Sequence, residues 1–262
     1  MTHIDVGYRS PYLEGEWEDV VQMTFSISPP ENFFDGNRFP SLEVIICDGL
    51  SLRDLSFVRP SKTVKDFCCS GNHLTSLAPL KAYPNLERIK CVNNRLVDII
   101  IDARLKHLVE LDCSCNSLER ITFLQKCPNI SRVYASWNNI PSLEWMVAPR
   151  LQHLNLYNNQ IETTLGFPSL PELESLDVGS NPLRSLVGLS ECIQLSSIEI
   201  DATKVISLAG LEFCHQLREV SGIPCVRTED GICSELDLSI LSGTWRISKT
   251  RGLTGWKITR VD

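Results

Sequence analysis

Cysteine is the residue type here with the widest chemical range, and eleven of the 262 residues are cysteine. Two pairs lie close enough along the chain to raise metal binding, Cys68-Cys69 and Cys113-x-Cys115. A tetrahedral zinc needs four N or S ligands, and a lone C-x-C is a weak signature for one. Adjacent residues of an extended segment also point to opposite faces, so Cys68 and Cys69 diverge. The five histidines, His3, His73, His107, His153 and His215, are scattered, with no H-E-x-x-H among them. Neither G-x-S-x-G, G-x-G-x-x-G nor G-x-x-x-x-G-K-[ST] occurs, so nucleophile-elbow and phosphate-cradling signatures are missing too. The residues point to a chain that is not an enzyme and takes no cofactor or metal.

The other chemistry within reach is recognition of a protein surface. Tyr134, Trp137 and Tyr157 are large aromatics, with Arg132 and His153 near them in sequence. Tyr, Trp and Arg are the side chains that dominate interface energetics. Asp177, Glu199 and Asp201 form an acidic group further along, and Arg88 and Lys90 a basic one earlier. An acidic strip steers a partner with a basic surface. These residues form one patch only if segments about 22 residues apart stack side by side, so the architecture decides.

The pattern L-x-x-L-x-L-x-x-N-x-L can be laid down from Leu42, Val64, Leu86, Leu108, Ile130, Leu151, Leu173, Leu195 and Leu217. The spacing is 22 residues each time except 21 between Ile130 and Leu151. From its fourth position each unit alternates, which reads as a short strand with one buried face. Ile89 and Cys91, Leu111 and Cys113, Leu154 and Leu156 then point inward, and positions three, five, seven and eight point out. The ninth position holds Asn72, Asn94, Asn116, Asn138, Asn159 and Asn181, placed to bond backbone groups of their own and the adjacent unit. One unit alone cannot bury its apolar face; stacked neighbours can.

This period and spacing resemble leucine-rich repeats. The resemblance implies an α/β solenoid: a right-handed curved array with a parallel β-sheet on the concave face and short 3₁₀, α or turn segments on the convex face. Leu173 to Cys192 is similar to the SDS22-like class of 22-residue repeats, and the likeness extends over about residues 20–222. Three regions are expected: an N-terminal segment with a divergent capping repeat over 1–41, the array over 42–222, and a C-terminal cap over 223–262. In that cap Thr244-Trp-Arg-Ile and Gly255-Trp-Lys-Ile flank Gly252 like a small basic hairpin covering the last strand, and Leu236 and Leu238 are candidates for one more strand.

The formal net charge is −7, and residues 244–262 carry five basic residues against one acidic, leaving −11 on the remainder. That balance disfavours nucleic acid and anionic membrane, which need clustered Lys and Arg. No run approaches the roughly 18 apolar residues of a membrane-spanning helix, and Met1 to Glu14 lacks a basic start and apolar run. Cys47, Cys69, Cys91 and Cys113 all fall at the sixth position, and Cys127, Cys192 and Cys214 at the twentieth, both inward. Free cysteine inside a core is a small apolar residue, so a reduced, cytoplasmic monomer is expected.

The expected function is a non-catalytic scaffold that grips a partner protein on the concave face. The contacts would be Arg88, Lys90, Arg132, Tyr134, Trp137, His153, Tyr157, Asp177, Glu199 and Asp201. Two alternatives follow from the resemblance. The namesake of the SDS22-like class is a regulatory subunit of protein phosphatase 1, and secreted, host-interacting bacterial internalins share the 22-residue period.

Overall fold

The computed structural model describes residues 3–6, 17–29, 39–223, 241–249 and 256–261. Leu236 and Leu238 lie outside them. The chain divides into two compact units, Met1–Ile130 and Ser131–Asp262.

Unit 1 is a stack of parallel strands: β1 His3–Val6, β2 Gln22–Phe25, β3 Val44–Ile46, β4 Asp66–Cys68, β5 Arg88–Lys90 and β6 Glu110–Asp112. Each pairs in parallel with the next, and from β2 onward the register equals one repeat, with Met23 beside Ile45 beside Phe67 beside Ile89 beside Leu111. β1 is not marked by the repeat pattern. It pairs with β2 and buries Ile4 and Val6 on the same alternation.

Unit 2 is built the same way from β7 Arg132–Tyr134, β8 His153–Asn155, β9 Ser175–Asp177, β10 Ser197–Glu199 and β11 Glu219–Ile223, again parallel. The chain then reverses. β12 Trp245–Lys249 and β13 Trp256–Arg260 form an antiparallel pair, and β13 lies against β11 with Trp256 beside Ile223.

Strands β3 to β10 are three residues long because only position four and its neighbours stay extended before the chain turns inward. Positions four and six are sealed in both units: Phe67, Cys69, Ile89 and Cys91 in one, Val133, Leu156, Val178 and Ile198 in the other, all without exposed surface. The return path runs through turns and short 3₁₀ segments, Ala78–Ala82, Thr122–Lys126 and Val187–Leu189, with no α-helix among the described residues. A 3₁₀ segment rises about 2.0 Å per residue against about 1.5 Å in an α-helix. A short repeat therefore spans its back with fewer residues, and the α option falls away.

Coils pack closely enough that some backbones meet. A Cβ on Gly188 would collide with the Thr164 carbonyl oxygen, so only glycine fits there. Thr164 is fully buried; its hydroxyl donates to Ser185 O and accepts from Gly188 N–H.

The ninth-position asparagines join the coils. Asn94 Nδ2 donates to Cys69 O and Cys91 O, and its Oδ1 accepts from Leu74 N–H at 3.0 Å. Asn159 repeats this with Ala135 O, Leu156 O and Ile140 N–H. The shortened repeat is absorbed here without loss: Ile140 and Asn159 are 19 residues apart, against 20 for Leu74 and Asn94. Asn159→Ala removes four hydrogen bonds and leaves the buried Ile140 N–H without its acceptor, so its urea-unfolding stability should fall by about 2–4 kcal/mol. Replacement of the adjacent Asn158, whose backbone is left-handed at φ 55°, by glycine should leave the same measurement within about 1 kcal/mol.

Candidate functional site

Immediately after each strand the eighth residue turns the chain. Gly49 and Gly71 hold it with φ of 69° and 66°, and Asn93, Cys115, Trp137, Asn158, Ser180 and Ala202 hold it with φ between 53° and 57°. The N–H of this residue donates to the seventh-position carbonyl of the next coil, as Asn93 does to Ser114 and Trp137 to Tyr157 at 2.8 Å. The left-handed region suits glycine and asparagine; a bulky side chain there is uncommon and strained. Trp137 occupies it while 56% exposed.

The Trp137 ring lies 6.2 Å from that of Tyr157, centre to centre, at an interplanar angle of 51°. The separation falls within the range of roughly 4.5–7 Å over which aromatic pairs attract. Strand register fixes their neighbours. Arg132 sits beside His153 and His153 beside Ser175, while Tyr134, Asn155 and Asp177 form the next row. Asp177 continues to Glu199, and Glu199 to Ser221. Tyr134, His153, Asp177, Glu199 and Glu219 line a groove of about 360 Å³ floored by Leu154 and Leu176.

The acidic side of this groove is partly neutralised. The cation is Lys257 of β13, whose Nζ is 2.6 Å from Glu219 Oε1. Glu199 accepts from the Ser221 hydroxyl at 2.6 Å and from Asp201 N–H at 3.1 Å. Asp177 accepts from Gly179 N–H at 3.0 Å and from Asn155 Nδ2 at 3.2 Å. Burial nonetheless pushes the Asp177 carboxyl above the usual aspartate range, with Glu199 and Asp201 adding to it and these two donors opposing it.

Asp201 is corrected by the structure. Expected as an exposed steering charge, it is 8% exposed, and its Oδ1 has no hydrogen-bond partner among the described residues. The repeat pattern marks its face but not the packing of the next coil over it.

Arg88 and Lys90 belong to unit 1, and Arg88 has a local partner there. Arg88 Nη2 pairs with Asp66 Oδ2 at 2.6 Å, and Lys90 lies in register between Cys68 and Asp112. The same unit stacks Cys47, Cys69, Cys91 and Cys113 in one inward row, all fully buried and free. Burial pushes their thiols far above the ordinary value, and Cys68, half-buried, is pushed to about 11. Among the described residues no group of three or more His, Cys, Asp or Glu is placed to hold a metal ion, and no helix is long and apolar enough to cross a membrane.

Sequence reasoning missed the left-handed turn at position eight, the Lys257–Glu219 pair and the bare backbone at Gly179. The last carried a signal: the seventh position holds a side chain in the coils on either side, Tyr157 and Asp201.

Comparison with known proteins agrees with this fold. A family model described as Leucine Rich repeats (2 copies) matches residues 149–211. No curated protein matches the chain. Among solved structures, an internalin (inlF) from Listeria monocytogenes is 14% identical with a TM-score of 0.62, covering 78% of this chain and 61% of that one. The functional domain of InlJ from Listeria monocytogenes, which includes a cysteine ladder, is 18% identical with a TM-score of 0.60, covering 85% of this chain and 51% of that one. The APL1 leucine-rich repeat domain is 19% identical with a TM-score of 0.56, covering 77% and 58%. The chain thus spans between about half and three fifths of the length of these solved chains. At such identities the likeness concerns the fold alone, a leucine-rich-repeat solenoid of parallel strands.

Two measurements check the site's chemistry. Iodoacetamide at neutral pH should label exposed Cys115 first, Cys68 only as pH approaches its raised value of about 11, and the inward row only after denaturation. The Asp177 carboxyl should titrate above the usual value of about 3.9, read by carbon NMR. Because its folded value is raised, its contribution to stability is present below about pH 3.9 and is lost as pH rises through the folded value.

Proposed function

We propose that this chain is a non-catalytic scaffold that captures a partner protein on the strand face of unit 2. Trp137, Tyr157, Tyr134 and Arg132 are its anchors, and Asp177 and Glu199 draw a partner with a basic surface. One observation carries the reading: Trp137 is held in a strained left-handed turn while largely exposed, at a position where glycine would cost less. Strain of this kind persists where it serves a site. Exposed tryptophan beside tyrosine supplies the large, rigid contact area that interface hot spots use.

The charge balance supports a protein partner over nucleic acid or an anionic membrane. Inward thiols that pack as apolar residues support a reducing compartment such as the cytoplasm, and the 22-residue period supports a place in the SDS22-like class. We read the protein as acting as a monomer.

The test is affinity capture from the native source with mass spectrometry, comparing the wild-type chain with Trp137→Gly and Trp137→Gly/Tyr157→Ala. The single variant relieves the left-handed strain, so its thermal stability should be unchanged or slightly raised. The double variant should lose the captured partners, an affinity loss of about 2–4 kcal/mol or more. Recovery of the same partners by the double variant would overturn the assignment.

A further inference from the structure

We infer that a basic cavity at the C-terminal end of unit 2, where β13 runs beside the entry to β11, binds a phosphate monoester. The cavity has a volume of about 400 Å³ and is lined by His215, Gln216, Arg218 and Arg260. It shares no lining residue with the groove of Tyr134 and Asp177, so it goes beyond the partner-capture reading and does not depend on it. Two guanidinium groups line this space, and no carboxylate does.

The sheet register brings the two arginines together. Glu219 lies opposite Thr259 and Val220 opposite Ile258, so one step further places Arg218 opposite Arg260. The Arg260 N–H donates to the Arg218 carbonyl oxygen at 2.8 Å. Side chains directly opposite in an antiparallel pair share one face with Cβ atoms about 5 Å apart, and like charges there destabilise. Unit 1 avoids this at the same repeat position. Lys65 has Glu43 on the preceding coil, 2.8 Å from its Nζ, and Glu87 on the following one. Arg218 has Ser196 on the preceding coil and another arginine on the following strand.

Local acids do not resolve the repulsion. Glu219 is engaged with Lys257 at 2.6 Å, and Glu212 accepts from Gly210 N–H at 2.7 Å. Among the described residues no carboxylate pairs with the exposed Arg218 guanidinium. Arg260 is tied to the cavity wall, its Nη1 donating to His215 O at 3.0 Å. One guanidinium is therefore held in place and the other stands opposite it across the strand pair.

The occupant must be an anion with acceptors for two planar forks of N–H donors. A carboxylate carries a single charge and two oxygens, which one fork can bind in full. A phosphate monoester carries a charge of about −1.5 to −2 and three strong acceptor oxygens, enough for both arginines. Gln216 and His215 carry further donors at the same cavity. A nucleic-acid backbone fits less well, because it needs a track of cations, and this is one arginine pair on a chain of net charge −7.

The probe is the peptide acetyl-Gly-Ala-phosphoserine-Ala-Gly-amide, titrated at fixed ionic strength into the nitrogen-15-labelled 262-residue chain. Inorganic phosphate and the same peptide with glutamate for phosphoserine are titrated beside it. Saturable amide shifts are expected at Gln216, Arg218 and Arg260, with a Kd on the order of millimolar for the phosphopeptide. The glutamate peptide should bind roughly tenfold more weakly. Tighter binding of the phosphopeptide than of inorganic phosphate identifies a phosphorylated chain as the source, and equal binding identifies free phosphate. Arg218→Gln should weaken the phosphopeptide roughly tenfold. Arg246→Gln makes the same charge change at an exposed residue of β12 outside the cavity, and should leave the Kd within about twofold. Arg218→Gln removes one member of a like-charged pair, so the fold is not at risk. Equal weakening by the two substitutions would reduce the effect to diffuse attraction by a basic surface, and the inference falls. It falls equally if the glutamate peptide binds as tightly, or if no saturable shift appears at these amides. The titration involves neither a partner protein nor the aromatic patch, so its failure leaves capture through Trp137 and Tyr157 standing.

Discussion

A chain that coils every 22 residues must leave its strand and turn inward, and the turn strips backbone groups of strand partners in a place water cannot reach. The ninth-position asparagine meets that constraint. In the coils that carry it, one amide supplies donors to carbonyls of two successive coils and an acceptor to the N–H of the preceding one, as Asn72 does with Cys47 O, Cys69 O and Leu52 N–H. An apolar residue in place of Asn72 would take these partners from the Cys47 carbonyl and the Leu50 and Leu52 N–H groups, while the Cys69 carbonyl would keep Asn94 Nδ2.

The turn also decides what the surface can carry. Closing it places the eighth residue in the left-handed region with its N–H already bonded to the next coil. The backbone is thus fixed by hydrogen bonds that do not depend on the side chain, so the position tolerates Gly71, Cys115 or Trp137 at different local cost. In unit 2 that freedom is used for a tryptophan, presented at a known angle beside Tyr157. Rigid presentation matters for binding, since an anchor already held in place loses little freedom when a partner covers it.

Much of this was legible in the residues. The period placed nearly every inward leucine, isoleucine and cysteine, the asparagine row, and the outward positions of Tyr134, Tyr157, Asp177 and Glu199. What escaped were features that depend on the neighbouring coil and not on position in the repeat. Asp201 has the sequence address of an exposed charge, yet the adjacent coil buries it. β1 was missed because the four residues His3–Val6 are too few to show a period. The left-handed eighth position was hidden because it is filled by glycine in some coils and by tryptophan or cysteine in others, so no residue type marks it.

Parallel strands in register bring like charges at the same position within about 4.8 Å, which is why any row of one sign destabilises a repeat array. Unit 1 avoids this by alternation: Asp66 meets Arg88, and Lys90 faces Asp112 in register. Unit 2 does the opposite. Asp177 and Glu199 are register partners, Asp201 follows two residues after Glu199, and burial raises the first of them further. Relief is partial, through the Ser221 hydroxyl on Glu199 and Lys257 on the flanking Glu219. Two stretches of one fold thus treat the same electrostatic problem differently. The uncompensated one continues the row of outward residues that begins with Tyr134 and Asn155.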